Sequence, residues 1–183
     1  MGDYHIPVKY LFKHITDLEI IDAPKITTKT IEIGSKYSPD FVCTPFKYTL
    51  GTMIEAIEKG ANVLVQAGGG CRYGYYSELQ NQILKDLNYD ITLINLVTAG
   101  HAQPLRIYKE LKKVTKINII KSLYYLLITK KMVEYMDNID DYIRKNIGFE
   151  VEKNSFINLK KKMLKSFSNT KGYFHLRKLY KKY

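Results

Sequence analysis

The chain has 183 residues, 45% hydrophobic and 13% aromatic, with sixteen tyrosines, no tryptophan and a formal net charge of +11. This is ample apolar material for a packed interior and excludes a wholly disordered chain. Two cysteines far apart in sequence exclude a disulfide-stapled scaffold, and they form no CxxC pair of the structural zinc kind.

The charge is unevenly placed. Residues 1–100 hold 9 Lys+Arg against 11 Asp+Glu, and residues 101–183 hold 20 against 7, so a nearly neutral part is followed by a strongly basic one. No segment resembles a signal peptide, because the start is polar and broken by Pro7. The longest apolar stretch, Ile117 to Ile128, is cut by Lys121, too early for a membrane span. A soluble, cytoplasmic protein with no membrane partner is expected.

In chain order, Ile6, Val8, Leu11, Phe12 and Ile15 follow a helical stripe, and Leu18 to Ile21 reads as a short strand closed by Ala23-Pro24. Thr27 or Thr28 caps a brief helix through Ile33 that Gly34 should stop, and Ser38-Pro39-Asp40 marks a turn. Phe41-Val42-Cys43 reads as a second strand. The clearest helix follows, with Thr44 as N-cap, Pro45 as first residue, Phe46, Leu50, Met53, Ile54 and Ile57 on one face, and Gly60 as its end. Asn62 to Gln66 is a buried-type strand running into Gly68-Gly69-Gly70; a helix from Tyr75 to Leu87 stops at Asn88, and Ile91 to Leu96 is another strand.

This alternation predicts a Rossmann-like or flavodoxin-like layered α/β domain with a parallel sheet over residues 1–100. Residues 101–183 read as a basic helical segment partly packed on it, with breaks near Asn138, at Gly148 and at Gly172.

Cys43 and Cys71 each end a predicted strand and precede a helix, so the fold would bring both sulfurs to one crevice at the sheet's carboxyl edge. A helix N-terminus favours the thiolate, the form that binds metal. The loop from Gly68 through Gly69, Gly70, Cys71 and Arg72 to Gly74 lets backbone approach a bulky or anionic group closely. It is neither a P-loop nor a GxGxxG dinucleotide turn. Taken alone, these features leave two readings open: metal ligation, or cysteines that act as small apolar fillers.

Cys43-Thr44-Pro45-Phe46-Lys47, followed by Gly51 and Glu55-Ala56, resembles the C-x-P-x-K element of the 2-hydroxyacyl-CoA dehydratase and activase-related family. The run from Ala67 to Tyr76 is similar to that family's glycine-cysteine-arginine-x-glycine-tyrosine element. The likeness spans about residues 1–96, including Ile26-Thr27 and Ile33-Gly34, and continues weakly through residues 146–150.

The resemblance implies one-electron chemistry at a 4Fe-4S cluster, with Cys43 and Cys71 as ligands. Lys47, Gly68, Gly69, Gly70 and Arg72 would line the same cofactor site. It also implies a place in a 2-hydroxyacyl-CoA dehydratase (lyase) system, not active alone, with an acyl-CoA as the associated ligand. Family members tend to begin with an earlier strand and to continue into a second α/β domain with further cysteines, so this chain reads as the N-terminal part. Two sulfurs leave the cluster's ligand set incomplete, so the missing ligands come from another chain, from non-cysteine groups, or are lost; the partner expected in the first case is a second copy in a homodimer or a heteromeric dehydratase-like or activase-like subunit.

Two competing readings remain. One is a flavodoxin-like ligand-binding domain with inert cysteines. The other is a basic binding module using Lys160, Lys161, Lys162, Lys181 and Lys182 with Tyr173, Phe174 and Tyr180, although no nucleic-acid-binding signature accompanies them.

Overall fold

A computed structural model of the chain describes residues 2–66, 75–98 and 101–183. The chain divides into two compact units, one formed by Met1–Ile20 with Ile117–Tyr183 and the other by Ile21–Lys116. The first helix thus belongs with the C-terminal helices, whereas a boundary near residue 100 would assign it elsewhere. Among the described residues no helix is long and apolar enough to cross a membrane.

The expected layered α/β domain is not what forms. The protein is 68% helical, and among the described residues parallel pairing is confined to two short strands. In the unit 21–116 these are β1 (Val63–Gln66) and β2 (Thr92–Asn95), in register Val63 to Thr92 through Gln66 to Asn95. They are joined by α4 (Tyr76–Asp86). A two-residue antiparallel pair, β3 (Val97–Thr98) with β4 (His101–Ala102), follows, and then α5 (Pro104–Val114).

The strands expected at 18–21 and 41–43 do not form. Residues 38–43 make a turn in which the Val42 N–H donates to the Pro39 carbonyl, and the Phe41 side chain lies exposed. Neither short run has a neighbouring strand to complete its hydrogen bonds, and an unpaired strand has no reason to persist.

Helix-on-helix packing takes the place of those strands. Thr27 caps α2 (Thr28–Tyr37) through a reciprocal capping box with Thr30. Gly34 does not stop this helix, because it is where α2 meets α3 (Thr44–Glu58). A Cβ on Gly34 would stand 1.8 Å from the Lys47 carbonyl oxygen, and one on Gly51 would stand 1.9 Å from that of Thr30. The two glycines let the backbones touch, as small residues do wherever helices cross closely. Thr30, fully buried at this crossing, donates its hydroxyl to Glu55 Oε2 at 2.8 Å. Phe46, Leu50, Met53 and Ile54 of α3 then close a core with Leu64 of β1 and Leu84 of α4. Gly60 (φ 95°) and Asn88 (φ 61°) end α3 and α4 in the left-handed conformation that terminates helices.

The other unit is a helical cluster. It contains α1 (His5–Ile15), α6 (Ile119–Asn146), α7 (Ser155–Ser168) and α8 (Tyr173–Lys182). Tyr10 of α1, Ile128, Met132, Tyr135 and Met136 of α6, Met163 and Phe167 of α7 and Leu176 of α8 make its core.

The break expected at Asn138 does not occur. An exposed asparagine costs a helix only a few tenths of a kcal/mol, roughly, and buried Met136 and Ile139 on either side hold the turn. The Lys160 ammonium, pulled down by burial, is held above its ordinary pKa by ion pairs with Asp140 (2.7 Å) and Asp3 (2.9 Å). The Tyr10 hydroxyl is pushed up to about 12 by burial and its tyrosine neighbours.

Candidate functional site

The carboxyl ends of β1 and β2 gather side chains from four elements. Gln66 at the end of β1 donates its amide to Gln80 Oε1 of α4 at 2.9 Å, and Gln80, fully buried, donates its own amide to the Phe46 carbonyl of α3 at 3.3 Å. Asn95 at the end of β2 donates to the Ser77 hydroxyl near the start of α4, and its Oδ1 accepts the Val97 N–H at 3.3 Å. Arg106 of α5 reaches the Asn95 carbonyl at 2.9 Å and pairs with Glu110 at 3.6 Å. These amides and hydroxyls hold the ends of two strands and the starts of two helices in one geometry. They carry no acid–base chemistry themselves, and Arg106 adds a cation.

Cys43 occupies the N-cap position of α3, one residue earlier than the expected cap at Thr44, with its backbone extended (ψ 158°). It does not end a strand, and its place beside α4 comes from helix packing instead. Its exposed sulfur meets the Tyr76 hydroxyl at the first residue of α4, while the Phe46 and Tyr76 rings stack at 5.2 Å. The Tyr76 hydroxyl, and after it the Phe46 N–H, hold the Cys43 thiol below its ordinary pKa against a smaller effect of burial. Lys47 sits one turn further along α3, half-buried, its carbonyl in the crossing with Gly34.

The other expected ligands, Cys71, Gly68, Gly69, Gly70 and Arg72, lie outside the described residues. Two of the histidines serve packing and a helix start: His14 stacks on Tyr125 at 4.4 Å, and His175 Nδ1 accepts the Lys171 N–H at 3.1 Å. Among the described residues no three His, Cys, Asp or Glu side chains converge to hold a metal ion.

No family model, curated protein or solved structure matches this chain. The likeness to the dehydratase and activase family therefore rests on its two motifs. Part of the first has a packing explanation. Gly34 and Gly51 are the crossing of α2 with α3, and Glu55 is the acceptor for Thr30. Cys43 is different, for its exposed sulfur lies outside that crossing, at a helix start against the Tyr76 hydroxyl.

Sequence reasoning missed Gln66, Gln80, Asn95 and Arg106. For Gln66 and Asn95 the signal available was a polar side chain at the end of an apolar run, where a strand passes from core to crevice; Gln80 and Arg106, inside helices, carried none.

Alkylation of Cys43 by iodoacetamide, followed by peptide mapping, should reach half its maximal rate at lower pH in the folded chain than in the unfolded one. Tyr76→Phe should raise that midpoint. Since the folded thiol has the lower pKa, its ionisation stabilises the folded chain above the unfolded thiol's pKa. The contribution is lost as pH falls through the folded value. An unchanged midpoint in Tyr76→Phe would remove Tyr76 from this role.

Proposed function

We propose that this chain carries an iron–sulfur cluster of the 4Fe-4S kind on Cys43 and Cys71, as a redox or structural component related to 2-hydroxyacyl-CoA dehydratases and their activases. The observation that carries the reading is the position of Cys43, an exposed, thiolate-favouring sulfur against Tyr76. Tyr76 follows Cys71 by five residues, a length of chain that spans at most about 18 Å even when extended. Cys43 fits as one thiolate ligand, and the sequence supplies Cys71 as the second.

When bound, such a cluster supplies one-electron transfer. The chain's own residues hold the edge at which it would sit. Gln66, Gln80 and Asn95 fix the strand ends and the helix starts, and Tyr76 orients the Cys43 sulfur. Lys47 and Arg72 would balance negative charge. Two thiolates leave positions for ligands from a second copy or a partner subunit, so the complete site belongs to an assembly.

Anaerobic purification with iron, acid-labile sulfide and mass measured on one sample tests this. Iron and sulfide in equal amounts, with broad visible absorbance in an assembled species, is expected. A chain that takes up neither under reconstitution would overturn the reading.

A further inference from the structure

We propose that the helical unit formed by Met1–Ile20 with Ile117–Tyr183 docks on an anionic lipid surface, through the start of α6 and the outer face of α8. Ile120, Leu123, Tyr124 and Leu127 recur at i, i+3, i+4 and i+7, one stripe of a helix, and all four are exposed. Ile120 is 83% exposed. The stripe lies outside the unit's core, which α6 builds with Ile128, Met132 and Tyr135. Tyr124 and Leu127 share a groove of about 420 Å³ with Tyr173 and Phe174 of α8. Phe174 is also 83% exposed. An apolar stripe this open on one unit marks an interaction surface.

Charge selects the occupant. On α8, Arg177, Lys178 and Lys181 follow Phe174 at i+3, i+4 and i+7, so an aromatic residue and three exposed cations share a face. Lys130 and Lys131 line the groove, and its one acidic lining residue, Glu134, pairs with Lys131. Residues 1–20 hold 2 Lys+Arg and 3 Asp+Glu, and residues 117–183 hold 15 and 6, giving the unit a net charge of +8. A second copy would bring the same positive charge to the patch, whereas an anionic lipid surface complements it. Aliphatic and aromatic side chains that enter the acyl boundary, flanked by cations that meet headgroups, are the two components of interfacial binding. The expectation of no membrane partner rests on the lack of a spanning segment, and surface binding requires none.

Co-sedimentation of the full chain with vesicles of phosphatidylcholine alone, and of an equimolar mixture with phosphatidylglycerol, tests this. Binding to the mixed vesicles only, weakened by salt, is expected. Ile120→Asp and Phe174→Asp, both at exposed positions, should each weaken it by at least about tenfold. Lys178→Ala and Lys181→Ala, which leave the apolar stripe intact, should each weaken it by about fivefold. Circular dichroism of each variant separates lost binding from lost fold.

No sedimentation with the mixed vesicles, or equal sedimentation of wild type and the four variants, would overturn the proposal. A dimer in solution that the aspartate variants dissociate, with no vesicle binding, would overturn it too and assign the stripe to a second copy.

Discussion

Gly51→Ala is expected to destabilise the 21–116 unit by about 3 kcal/mol, and Gly34→Ala by a similar amount. In each case the added methyl would stand within 2 Å of a backbone carbonyl oxygen of the facing helix, Thr30 for Gly51 and Lys47 for Gly34. A backbone atom cannot rotate aside as a side chain can, so α2 and α3 must separate. Separation also disturbs the Thr30 to Glu55 hydrogen bond inside the crossing. Hydrogen exchange of the α2 and α3 amides should rise sharply in both variants. Gly148→Ala is the control, since a Cβ there meets nothing within 4 Å. Unchanged protection in Gly51→Ala would mean that the two helices do not cross at these glycines.

Phe167→Ala should cost the helical unit about 3–5 kcal/mol, the usual penalty for emptying a fully buried aromatic site. Phe167 is completely buried, its ring tilted against Tyr135 at 6.4 Å, among methionines and leucines from three helices. Flexible Met132 and Met163 would refill part of the space, which places the expected loss toward the lower end. Denaturant unfolding followed by the exchange of α6 and α7 amides reads the effect on this unit. Phe174→Ala, at an exposed position on α8, should change stability by less than about 0.5 kcal/mol. Similar losses from the two substitutions would contradict the assignment of Phe167 to the core.

The contrast between the two phenylalanines shows what the sequence made legible. The apolar stripe of α3 and its Gly60 stop, the pair of strands around α4 and the helical character of the basic half could all be read from local pattern. Each depends on residues a few positions apart. The layered sheet could not be read this way, because strand formation requires a partner that local pattern does not supply. Gly34 misled for a related reason. A glycine inside a helical pattern reads as a stop unless the facing glycine, seventeen residues later, is known to lie against it. At the site, the place of Cys43 just ahead of a helix is legible in the sequence, but the strand expected before it does not form and its neighbour Tyr76 is not foreseen. Gln66 and Asn95 left only a polar residue at the end of an apolar run as a signal, and Gln80 left none, since amides gain their role only when two strand ends and two helices converge.

Parallel anaerobic reconstitution of wild type, Cys43→Ala and Cys71→Ala tests most directly the proposal that Cys43 and Cys71 together hold an iron–sulfur cluster. Iron, sulfide, visible absorbance and mass are measured on each sample, with circular dichroism to show that the fold is kept. The expected result is a cluster in assembled wild type, with absorbance and iron lost in both single variants. A stable, full cluster retained by a monomer of either variant would contradict the claim.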